Sequence, residues 1–412
     1  MGIDDEVTVG ERIAFYRRRR GITQEVLSGL LGRSVEWLSQ IERGHRDVNK
    51  LTTIIEVADA LGIEPMRLLP RHFTSRPRQL QDSVIGTAPD TVPAIKTAMF
   101  RYDGVAALVG VPDRPPVDQA ELYGRIDSAF RCSQTERWSE LGPLLPDLIA
   151  DGWYAAHTTA GDDQRRGFGL LSLIYRVTSG MLDRIGEPDL PWIAAERDMT
   201  AAERSEDPLL IAGAAWRLAV VLRHSGRLAE STEVPLAAAD ALRTDVQASP
   251  AHASVYGALM LKGAVGAASL GDHGAVRDYL AECHRAAEFV GSGRNDFWFA
   301  FGPTNVAIHR AWLALEMGDP TDAIAQAEQV DHRSLPPELA ERQASHLITL
   351  AWSHYLRRHD DEALAALLEA RQVAPEQLMF TNRVHAMVRQ MLHRDRRDRR
   401  ELRNLAVFVG VQ

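Results

Sequence analysis

Apolar positions in the first 61 residues recur three and four apart, and short polar breaks carrying glycine interrupt them. The first run, over 11–20, sets Ile13 and the Phe15–Tyr16 pair inward and closes on four consecutive arginines, Arg17 to Arg20, followed by Gly21. Cations suit the C-terminal end of a helix, and glycine suits the residue just beyond it. The second run starts at Thr23, an N-cap type, and carries apolar positions 26, 27, 30 and 31 as far as Gly32. Ser34 caps the third, over 35–42, which closes at Arg43-Gly44. A fourth covers 51–61, with apolar positions 51, 54, 55, 57, 58 and 61, and residues 65–69 form a last turn. Two short helices joined by a tight glycine-containing turn, inside a bundle of four or five, make a helix-turn-helix.

Beyond this segment the texture changes twice. Six of the 20 prolines fall within 76–116, so 76–117 reads as a connector, interrupted by one short helix over 92–100. That helix has no decidable packing partner from sequence. From Asp118 the pattern is helical throughout and repetitive, with no convincing alternating strand. Each unit is a helix, a tight turn and a second helix beginning with a small residue. The turn residues Gly226, Gly271, Gly318 and His359 are spaced 45, 47 and 41 apart. A weaker unit turns near Gly186, and one before it runs over 120–150. The expected division is therefore 1–75, 76–117 and 118–412, and the expected fold class is all-α.

The N-terminal segment closely resembles the Cro/CI (XRE-type) repressor domain over about 9–70. The residues that carry this are Arg17, Gly21, Thr23-Gln24, Leu27, Gly32, Ser34, Leu38-Ser39, Ile41-Glu42, Gly44, Ala58, Leu61-Gly62 and Leu68-Leu69. The resemblance implies that Gln24 grips a phosphate. It implies that the N-terminal half of the third helix faces the major groove, with Ser34 at its head and Val35, Glu36, Ser39 and Gln40 as candidates for base edges. A glutamate accepts from cytosine N4, a glutamine pairs with adenine, and a valine meets a thymine methyl. Arg33, Arg43, Arg46 and Lys50 are placed for the sugar-phosphate backbone. Glu36 departs from the amide or hydroxyl often found there, and a carboxylate beside phosphates is costly unless paired. Trp37 is expected to pack rather than wedge between bases, and Arg17 to pair with Glu42.

The second region resembles tetratricopeptide-type helical hairpins, lengthened beyond their usual period. That resemblance implies a solenoid whose concave face holds a peptide, a protein or a small ligand. One segment stands out, 295–310, where four of the chain's 27 aromatics fall within five residues. Phe297, Trp298, Phe301, Asn305 and His309 are its candidate ligand residues; Asn305 and His309 are four apart and share a helix face. Two readings stay open: these side chains line a pocket, or they pack the core between repeats with Pro303 starting the next helix. The run Phe-Gly-Pro-Thr-Asn-Val is typical of actinobacterial regulators that join the two domains, and the excess of arginine over lysine suits a GC-rich coding sequence.

Charge changes how the two regions are read. The net charge of −9 looks wrong for a partner of DNA until it is divided. Residues 1–80 hold 13 basic and 11 acidic residues, and the remainder is acidic by 11 charges. DNA is therefore expected at the N-terminal region alone. The arginine-rich tail, 389–403, is interleaved with Asp395, Asp398 and Glu401 and reads as a solvated face or dimer contact. Two distant cysteines, Cys132 and Cys283, argue for a reducing cytoplasm, and no membrane span or secretory leader is expected. No phosphate loop, nucleophile elbow or zinc spacing occurs, so no enzyme activity, cofactor or metal is expected. The expected partners are a near-palindromic double-stranded operator, a second copy of the chain and a ligand of the array. The alternative is an interaction scaffold whose two domains dock proteins.

Overall fold

Thr8 opens the first helix with a reciprocal cap: its hydroxyl meets the Glu11 amide, and its own amide donates to Glu11 Oε2 at 2.8 Å. The computed structural model describes residues 8–19, 21–44, 51–61, 68, 91–100, 116–331, 335, 337–395 and 397–411. Helices α1 (Val9–Arg19), α2 (Gln24–Leu30), α3 (Val35–Glu42) and α4 (Leu51–Ala60) form the N-terminal bundle. Ile13, Leu27, Leu38, Ile41, Val57 and Leu61 are its buried centre. Arg46, Lys50 and the last turn fall outside the described residues, apart from Leu68, which is fully buried.

Helix α5 (Val92–Met99) settles the question the connector posed. Ile95 and Met99 are buried in the same cluster as Leu141 and Leu145 of α7 (Trp138–His157). A Cβ on Gly142 would stand 2.4 Å from Thr91 Oγ1, so the start of α5 rests directly on α7. The short helix therefore belongs to the core of the second region.

The second region is a series of antiparallel helical hairpins. They pair α6 (Gln119–Gln134) with α7, α8 (Gly161–Arg184) with α9 (Leu190–Ser205), and α10 (Pro208–His224) with α11 (Leu228–Leu242). Then come α12 (Pro250–Leu270) with α13 (His273–Val290), α14 (Pro303–Glu316) with α15 (Pro320–Ala327), and α16 (Ala340–Leu356) with α17 (Asp360–Val373). Helices α18 (Pro375–Phe380), α19 (Asn382–Arg394) and α20 (Arg400–Val409) follow. Each hairpin turns through one left-handed residue: Glu136, Gly186, Gly226, Gly271, Gly318 and Arg358. The last corrects the expectation of His359. The turn there has no glycine, and Arg358 adopts φ +64° while the His359 amide bonds back to His354 O at 2.9 Å. Helix α12 is long and apolar enough to cross a membrane, yet 89% of its most apolar window is buried among its neighbours. Lys262 is its single formal charge.

The array closes on itself. Between α13 and α14 the chain reaches back to α6, where Gln134 and Asn295 exchange amide hydrogen bonds of 3.1 and 2.8 Å. Gln134 also donates to Trp298 O at 2.9 Å, and the Trp298 indole donates to Asp127 Oδ1 at 3.1 Å and stacks on Phe130 at 4.2 Å. At the far end, Glu376 of α18 accepts from the Trp138 amide at 2.9 Å and the Ser139 hydroxyl at 2.8 Å. The first hairpin is thus latched to two later parts of the array, and the inner helices surround an interior cavity.

Candidate nucleic-acid interface

The turn between α2 and α3 determines how the third helix is presented. Thr23 caps α2 by accepting from the Val26 amide, and Ser34 caps α3 by accepting from the Trp37 amide at 3.1 Å. Between them Gly32 takes φ +61°, a left-handed conformation that a Cβ would strain, and the Arg33 amide bonds back to Ser28 O at 2.9 Å.

A buried polar cluster locks the arrangement. Glu42, at the end of α3, accepts from Arg17 Nε at 2.6 Å and Arg17 Nη2 at 2.8 Å. It also accepts from Gln24 Nε2 at 2.7 Å, and Arg17 Nη1 donates to Ile22 O at 2.9 Å. Burial pushes the Glu42 carboxyl up, but the bonds from Arg17 and Gln24 outweigh it and hold the group below its ordinary value. The bond to Glu42 raises Arg17 in turn. One carboxylate therefore ties α1, α2 and α3 together. Gln24, expected at a phosphate, spends its amide on this cluster and stands half-buried at the start of α2.

The outer face of α3 carries Val35, 41% exposed, with Glu36 exposed and Gln40 half-buried beside it. Gln40 Nε2 donates to Glu36 Oε1 at 3.2 Å, so the unusual carboxylate is engaged by its neighbour one turn on. Ser39 is different. Only 7% exposed, it turns into the bundle, and it is withdrawn from the groove-facing set. The helical period explains this: Leu38, Ser39, Ile41 and Glu42 form the inward stripe, leaving 35, 36 and 40 outside. Arg33 and Arg43 are exposed at the two ends of α3, and Arg33 lies 5.6 Å over the half-buried Trp37 ring. Ser34 is exposed but serves as the cap. This surface offers a methyl-bearing contact, a carboxylate acceptor, an amide and two cations, side-chain types on which base-edge and phosphate contacts draw in general.

The residues expected to bind a ligand are not all brought to one site: Trp298, Phe301 and Asn305 line one cavity of about 760 Å³, and Phe297 and His309 lie outside its lining. Phe301 is 1% exposed and fills the space over Gly257, where a Cβ would come within 1.9 Å of its ring. His309 Nδ1 lies 2.9 Å from Asn305 O, and its imidazole is pushed down to about 3, first by burial and then by Arg342 and Lys262. Asn305 is buried, with no hydrogen-bond partner found for its Oδ1. Phe297 and Trp298 border both the interior cavity, about 470 Å³, and an outer groove of about 1250 Å³. Phe297, Trp298 and Ala300 all adopt positive φ, at 51°, 58° and 51°. Such strain costs about 1–3 kcal/mol per residue and persists only where surrounding contacts enforce it. Sequence reasoning missed the charged lining of the interior cavity, because its members lie on separate helices with no shared spacing.

The helix-turn-helix domain family matches residues 8–69. An "uncharacterized HTH-type transcriptional regulator" of Sinorhizobium fredii is 37% identical over 67 residues, which are 16% of this chain and 86% of that protein. No solved structure matches. The likeness rests on the N-terminal bundle, where the cap, the turn and the locked recognition helix have just been described, and through it the chain belongs to the helix-turn-helix family of DNA-binding transcriptional regulators.

Proposed function

We propose that this protein is a sequence-specific regulator that binds a near-palindromic operator as a homodimer, with no catalytic step of its own, in the cytoplasm. The exposed face of α3, carrying Val35, Glu36 and Gln40 on a helix locked by Glu42, supports this best. In a dimer two such helices would enter successive major grooves about 34 Å apart. Residues 1–80 carry a net charge of only +2, so one head alone gains little from phosphate neutralisation, and pairing multiplies its affinity. The helical array, which we read as tetratricopeptide-like, supplies the dimer contact and senses a ligand that biases the spacing of the two heads.

Fluorescence anisotropy with promoter fragments selected from genomic DNA tests this. The expected result is saturable binding that weakens steeply with salt, and is weakened about tenfold or more by Gln40→Ala combined with Arg43→Ala. Binding that is indifferent to salt and to these substitutions overturns the reading.

A further inference from the structure

The interior cavity is lined by the first helices of several hairpins and carries more cations than carboxylates. Arg176 and Arg184 of α8, Arg217 and Arg223 of α10, Lys262 of α12 and Arg342 of α16 line it, against the carboxylates of Glu136, Asp183 and Glu341. Most of these cations are accounted for. Arg176 pairs with Asp198 behind the wall at 3.0 Å, and Arg217 pairs with Asp183 at 2.9 Å. Arg184 reaches Glu341 at 3.2 Å and Glu136 at 3.3 Å, and Arg342 reaches Glu341 at 2.6 Å.

Two are left over. Among the described residues, Lys262 and Arg223 have no carboxylate within ion-pair distance. The Arg223 guanidinium meets the His224 ring at 3.1 Å. The Lys262 ammonium lies 4.4 Å from the Trp216 ring centroid, and Trp216 packs against Phe299 at 5.1 Å. A lysine in the middle of a long apolar helix, facing an aromatic pair with no carboxylate at ion-pair distance, is an expensive arrangement for packing alone.

We propose that this cavity is the binding site for a small aromatic organic anion. Its carboxylate or sulfonate is held by Lys262 and Arg223, and its ring lies against Trp216 and Phe299. The volume, about 470 Å³, falls within the roughly 300–1,000 Å³ of small-molecule sites. It is too small for a folded partner or a long peptide. The outer groove does not compete for such a ligand, because its Arg165 and Arg166 are already paired with Asp162, Glu206 and Asp163. Electrostatics agrees with the geometry: burial, then the cations Arg342, Arg223 and Arg217, push Lys262 down to about 7. An arriving anion would reverse that cost.

The inference rests on reading the array as a sensor, and its test is kept separate from DNA binding. The full-length protein is titrated with two fluorescent probes that differ in one group, 1-anilinonaphthalene-8-sulfonate and the uncharged N-phenyl-1-naphthylamine. The expected result is one saturable site per chain, preferring the sulfonate by about tenfold or more. Lys262→Met, close in volume, should remove most of that preference while leaving the neutral probe within about twofold. Equal affinity of the two probes for the wild-type protein, many unsaturable sites, or equal loss of both probes in the variant overturns the proposal. The wild-type ratio decides even if the variant folds poorly. A protein that binds DNA but shows no sulfonate preference refutes the cavity assignment alone. One that takes the sulfonate but no DNA refutes the regulator reading alone.

Discussion

Replacing Arg17 by alanine should unfold the DNA-binding domain and leave the helical array standing. The Glu42 carboxylate is buried and accepts three hydrogen bonds, two of them from Arg17. After the replacement it keeps Gln24 alone. Breaking a buried ion pair from one side costs about 3–5 kcal/mol, because the other charge stays in low dielectric without its partner. A domain the size of residues 8–69 has only roughly 3–9 kcal/mol of stability to lose. Arg17→Ala therefore takes most of it, and DNA binding disappears with the fold. Hydrogen exchange read by mass spectrometry localises the effect: amides of 9–42 should exchange near the unfolded rate, while those of 161–224 stay protected. The double replacement Arg17→Met with Glu42→Leu should recover much of the loss, since it removes both charges. A cost below about 1 kcal/mol for Arg17→Ala, the range of exposed pairs, would refute the buried-cluster argument. So would a double variant as unstable as the sum of the singles. Acid gives a second readout. The Glu42 carboxyl sits below its unfolded value of about 4.3, so its stabilisation is complete above that pH and is lost as pH falls through the lower folded value.

Three further outcomes follow from particular contacts. Gly10→Ala should push α1 off α3, because a Cβ there would stand 1.9 Å from Ile41 O; a drop of several degrees in the N-terminal melting transition checks it. Ser34→Ala should cost about 1 kcal/mol by uncapping α3, whereas Ser34→Asp should keep the stability and still weaken DNA binding, as urea melts and anisotropy would show. Lys262, pushed down to about 7 from an unfolded value of about 10.4, leaves the unfolded chain holding the extra proton between those values; stability measured against Lys262→Met should rise with pH across that window.

The N-terminal domain was readable because its signals are local. Caps, glycines and a short apolar period sit within a few residues of one another, and Thr23, Ser34 and Gly32 act where the pattern put them. Ser39 escaped because a polar residue on the edge of an inward stripe looks the same in sequence whether it faces solvent or core. Hairpin turns were legible wherever glycine marked them and missed by one residue where Arg358 took the strained position instead. The cavity was illegible for a different reason. Lys262 interrupts an apolar run, Arg223 ends a helix and Arg342 begins one, and nothing in their spacing joins them. They become neighbours only after six hairpins have stacked and the chain has closed.

That closure changes the kind of object the array is. An open stack of hairpins can fray from either end and tolerates gaining or losing a unit, because each layer answers only to the next. Here the Gln134–Asn295 and Glu376–Ser139 bonds join layers far apart in sequence, so strain introduced anywhere must be shared around the circuit. Inserting or deleting one hairpin would move the two ends of each latch out of register. The array should therefore melt in a single cooperative step and keep a fixed number of units, behaving as a hoop rather than a spring.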